Sequence, residues 1–134
     1  MRTKQTNSLV LLLLMAVLGS YSIAYGEGAS GSWTKKEQAI SGGWNIEARD
    51  DGHYLVLSEE FRTRKAPDLK FVLSHQGVGE VSSKTAMVEG LVISPLKSNK
   101  GQQSYRLPAN YGDYATLLLH CEQYSKLWGA TSLK

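Results

Sequence analysis

Cys121 is the single cysteine among 134 residues, and the chain opens with a segment that reads as an export signal. Exported proteins usually pair their cysteines, and a lone one has no partner within its own fold. Two readings of the thiol are open: a small apolar packing residue, or a group kept for redox chemistry or ligation. His120 is adjacent, but on a regular strand Ala115, Leu117, Leu119 and Cys121 share one face, while Tyr114, Thr116, Leu118 and His120 share the other. A Cys/His catalytic pair needs the base within hydrogen-bond reach of the sulfur, so these neighbours do not form one. Glu122 and Lys126 are close in sequence and would act on the thiol in opposite senses.

Other chemistries find no support. Neither Cys-x-x-Cys nor Cys-x-x-Cys-His occurs, and one cysteine with His53, His75 and His120 gives no recognisable zinc spacing. Ser94-Pro95-Leu96-Lys97 fits Ser-x-x-Lys formally but lacks the companion motifs of that enzyme class. Gly77-Val78-Gly79 lacks the strand-to-helix context of a phosphate-binding loop.

The export reading rests on Arg2 and Lys4, the apolar run Leu9 to Leu18, and the small-residue pattern Ala24-Tyr25-Gly26, with cleavage expected after Gly26. The run is about half the roughly 20 residues a membrane-crossing helix needs, so a signal peptide at 1–26 is expected rather than a retained anchor. The mature chain is then periplasmic or extracellular. Cleavage removes Arg2 and Lys4 but none of the 12 acidic residues, which leaves a nearly balanced chain. Such a domain makes no case for nucleic acid or an anionic membrane. Lys35-Lys36 reads as part of a solvated tail, and the Gly/Ser content of Gly26 to Ser32 points to a flexible mature N-terminus over 27–36.

From Trp33 onward, short apolar runs alternate with turn chemistry, and no helical stripe is sustained over three turns. Asn45 to Arg49 and His53 to Leu57 flank Asp50-Asp51-Gly52 as a hairpin. Leu69 to Ser74, Met87 to Ile93, Gln102 to Leu107 and Tyr114 to Cys121 read as further strands, the last of them central. Within Gln102 to Leu107, the residues Gln103, Tyr105 and Leu107 share one face. A helical turn is expected near Thr34 to Ala39. The fold class that follows is all-β: an antiparallel β-sandwich of about seven to eight strands.

Three strings carry a resemblance: Ala66-Pro67-Asp68-Leu69-Lys70-Phe71-Val72-Leu73-Ser74, Leu96-Lys97 through Gly101-Gln102-Gln103-Ser104-Tyr105-Arg106-Leu107-Pro108, and Leu117-Leu118-Leu119-His120-Cys121 followed by Leu127-Trp128-Gly129-Ala130-Thr131-Ser132-Leu133. Their order and spacing resemble the DM-thirteen domain family, small exported domains also found beside haem-binding DOMON domains in Skeletor-type animal proteins. The resemblance spans about 37–133. It implies a β-rich fold and a part in electron transfer, with Cys121 as a redox thiol or as a ligand to a group such as haem, and with a separate redox partner protein. Pro67, Asp68, Leu69, Gly101, Tyr105 and Pro108 match motif positions that a fold alone could require. The alternative is a noncatalytic extracellular interaction domain with Cys121 as core. The redox reading requires a sulfur at least partly accessible beside a concave surface; the alternative requires a sealed one.

Overall fold

Strand-forming residues at alternating positions build two stacked antiparallel sheets in a computed structural model that describes residues 28–134. The expected signal peptide lies outside the described residues. The strands are β1 (Ser30–Ser32), β2 (Thr34–Lys35), β3 (Ile40–Ser41), β4 (Gly43–Arg49), β5 (Gly52–Leu57), β6 (Arg62–Thr63), β7 (Leu69–Ser74), β8 (Leu91–Pro95), β9 (Gln103–Arg106), β10 (Thr116–Cys121) and β11 (Lys126–Ser132). One sheet runs β1-β4-β5-β9 and the other β2-β11-β10-β7-β8, with β3 and β6 forming a separate ribbon. Seven of these strands have four residues or more, so the all-β sandwich expectation holds.

Period-two alternation fixes which side chains meet. Trp44, Ile46, Leu55, Leu57 and Tyr105 from one sheet pack against Phe71, Leu73, Leu117, Leu119 and Trp128 from the other. The hairpin β4–β5 pairs Arg49 with Gly52 across Asp50-Asp51. Tyr105 is buried, and its hydroxyl donates to Gln103 Oε1 at 2.6 Å and accepts from the Lys97 amide at 2.8 Å.

Strand β10 is buried at all six positions, because its second face is covered as well. Val72, Leu118, Leu127 and Ala130 form a smaller core beneath Val81 and Ala86 of the β7–β8 connection. Ser83 Oγ holds that cover by accepting from the Leu127 amide at 2.9 Å, and Lys36 Nζ donates to the Val78 carbonyl at 2.6 Å.

Several sequence expectations are corrected. Residues 30–32 and 34–35 are not a flexible tail: β1 pairs with β4 and β2 with β11. Lys36 is therefore tied down rather than solvated. No helical turn forms over 34–39, because the amides of Lys36 and Glu37 donate to the carbonyls of Trp128 and Leu127. The strand expected over 87–93 begins only at Leu91, and Thr85 to Glu89 are turn. Pro95 ends it on a sheet edge, where its missing N–H breaks no interior ladder.

Strand β11 has no counterpart in the sequence reading. It carries a bulge at Trp128, since Leu119 faces Gly129 while His120 faces Leu127. Gly129 is required there: a Cβ would stand 2.7 Å from Ile40 Cγ2.

Candidate functional site

Cys121 is the last residue of β10 and lies on the ladder between Leu69 of β7 and Lys126 of β11. Its side chain belongs to the inter-sheet core and is 0% exposed. The alternation expected from sequence holds: Leu117 and Leu119 share its core, and Leu118 lies in the smaller one. The partly accessible sulfur that the redox reading required is not what the resting fold presents.

The end of β10 is fastened from outside. The Glu122 amide donates to the Asp68 carbonyl at 3.1 Å, and Lys70 Nζ bridges Asp68, at 3.3 Å, and Glu122. The two carboxylates raise the Lys70 pKa, chiefly through the bond to Glu122 and then through that to Asp68. The Asp68 side chain thus pairs with Lys70 two residues on, and the Lys70–Glu122 pair is the one that crosses from β7 to the end of β10.

His120 is 2% exposed on the opposite face, and its Nδ1 has no hydrogen-bond partner. Burial lowers its pKa, while the charges of Glu122 and Asp68 oppose that shift. His120 and Cys121 remain on separate faces of the strand, as the sequence periodicity requires.

Two open clefts flank the Cys121 end. One, of about 420 Å³, runs between Lys65–Leu69 and Pro95–Asn99. The other, of about 460 Å³, is lined by Gln38, Arg64, Lys65, Tyr124, Lys126 and Trp128. Leu69 and Lys126, the ladder partners of Cys121, each line one cleft, but Cys121 lines neither. The concave surface is therefore present and the thiol is walled off from it. Arg64, Lys65 and Tyr124 escaped the sequence reading, because cations in separate turns leave no local pattern that shows they converge.

Haem, the group that the resemblance implies, does not fit at this sulfur. A ligand that size needs an opening of several hundred Å³ at the coordinating atom. Around Cys121 the inward face is instead filled by core side chains such as Leu117, Leu119 and Leu69. Gly101, from the resemblance strings, has φ +89°, which explains it as a turn requirement. Among the described residues, no three His, Cys, Asp or Glu side chains come together as a metal-binding group.

The family model described as electron transfer DM13 matches residues 32–133. No curated protein and no solved structure matches the chain.

Proposed function

Because this chain belongs to the electron transfer DM13 family, we propose that it is an exported accessory domain of an electron-transfer system, one that binds a separate redox partner and carries Cys121 as a packing residue. The family supports the electron-transfer setting. The zero exposure of Cys121 carries the rest, since a thiol exchanges or ligates only through a sulfur that a reagent can reach. Export is supported by the N-terminal sequence pattern.

A second reading has one observation in its favour. Cys121 is the terminal residue of its strand, and the next four residues, Glu122 to Ser125, are all exposed. Local opening is cheapest at such an end. In this reading the thiol is guarded, and forms a mixed disulfide only when a partner releases the end of β10.

Haem titration of the wild type and of Cys121→Ala tests the assignment. Any Soret change seen with the wild type is expected to persist in the variant. A thiolate-type band that disappears with the sulfur would sink the packing reading.

A further inference from the structure

We propose that the cleft formed by Arg64, Lys65, Lys126, Tyr124 and Trp128 is the docking site for an acidic segment of a partner protein. The inference deepens the accessory reading above and rests on it.

Chain segments distant in sequence deliver these residues to one place. Arg64 and Lys65 come from the β6–β7 connection, Tyr124 from the β10–β11 turn, and Lys126 and Trp128 from β11. Trp128 fastens the two walls together, its Nε1 donating to the Arg64 carbonyl at 3.3 Å. Three cations lining one small cleft repel one another, and the fold offers little to offset that. Lys126 has only a 3.9 Å pair with Glu37, and Arg64 reaches the neutral Gln38 amide at 3.5 Å. Lys65 makes no ion pair among the described residues.

The concentration of charge is not inherited from composition, because the chain after residue 26 is nearly balanced. It is local, and it meets a surface of opposite sign by complementarity. Tyr124 is 54% exposed beside it, and aromatic side chains with arginine are what protein-binding surfaces favour at their centres. At about 460 Å³ the cleft suits a few side chains of an extended segment. Cleft and thiol are also joined in the fold, since Lys126 lines the one and is the ladder partner of the other.

The test uses a fluorescein-labelled peptide of repeated Glu-Glu-Tyr units and the folded protein, with anisotropy read at low ionic strength and again near physiological salt. Replacing Arg64, Lys65 and Lys126 together by Gln is expected to weaken binding about tenfold and to flatten its salt dependence. A control carrying Lys84→Gln, Lys100→Gln and Lys134→Gln makes the same change in net charge elsewhere and should retain binding. No binding at low salt, or equal losses in both variants, overturns the proposal. Failure of this test with Cys121 still shielded removes the cleft assignment alone. Peptide binding intact with Cys121 freely labelled removes the accessory reading and leaves the cleft standing.

Discussion

Labelling of Cys121 by a thiol reagent in the native protein should be about ten-thousandfold slower than in the unfolded chain. The factor follows from what must break before the sulfur is reached. Freeing the end of β10 undoes its two-bond pairing with Lys126 of β11 and the bond from the Glu122 amide to Asp68, about three hydrogen bonds in all. At roughly 1 kcal/mol for each hydrogen bond, that step costs about 3 kcal/mol. Returning the Leu69 and Cys121 side chains to water costs about 3 kcal/mol more. The sum, about 6 kcal/mol, corresponds to an open fraction on the order of one in ten thousand. The assay compares labelling rates in buffer, in low denaturant and after full unfolding. Local opening shows a shallow denaturant dependence, whereas access through global unfolding shows the full equilibrium slope. A native rate within about tenfold of the unfolded one would refute the burial argument, because such an opening costs only about 1.4 kcal/mol.

The buried site also makes substitutions unequal: Cys121→Ser places a hydroxyl in the core and should lose about 1 to 3 kcal/mol in chemical denaturation, more than Cys121→Val loses. Gly42 has φ +92°, and a Cβ there would stand 2.6 Å from the Phe61 backbone, so Gly42→Ala should cost about 2 kcal/mol or more, read as a lower denaturation midpoint. For His120 the folded pKa lies below its ordinary value near 6.5, so the unfolded chain takes up the proton first as pH falls. Stability should be full above about pH 6.5 and decline as pH drops toward the folded pKa, and His120→Gln should flatten that decline in thermal melts across this window. Phe71→Ala, at a fully buried position between the sheets, should lose about 3 to 5 kcal/mol.

Elements whose periodicity and turn chemistry agree were legible in the sequence. Asp50-Asp51-Gly52 marks its hairpin, Gln103 and Tyr105 mark one face of β9, and the Leu-rich segment ending at Cys121 marks the central strand. Strand β11 was hidden by Gly129, a residue that weakens a strand pattern locally and is demanded here by Ile40 on a different strand. The short strands β1 and β2 carry no hydrophobic signal, because their order comes from ladder partners elsewhere in the chain. The candidate site divides the same way. Periodicity separates His120 from Cys121, but accessibility of the sulfur depends on how two sheets close over it, and the cleft depends on turns meeting in space.

The cover over the second face of β10 has a consequence for colloidal behaviour. Val72, Leu118, Leu127 and Ala130 form an apolar patch that the protein keeps dry with a segment built of turns. A nick between Gly77 and Gly90 would leave every strand of that sheet paired and yet uncover the patch. The nicked protein should then self-associate while its strand content is intact, because the irregular stretch between β7 and β8 is what covers that apolar face.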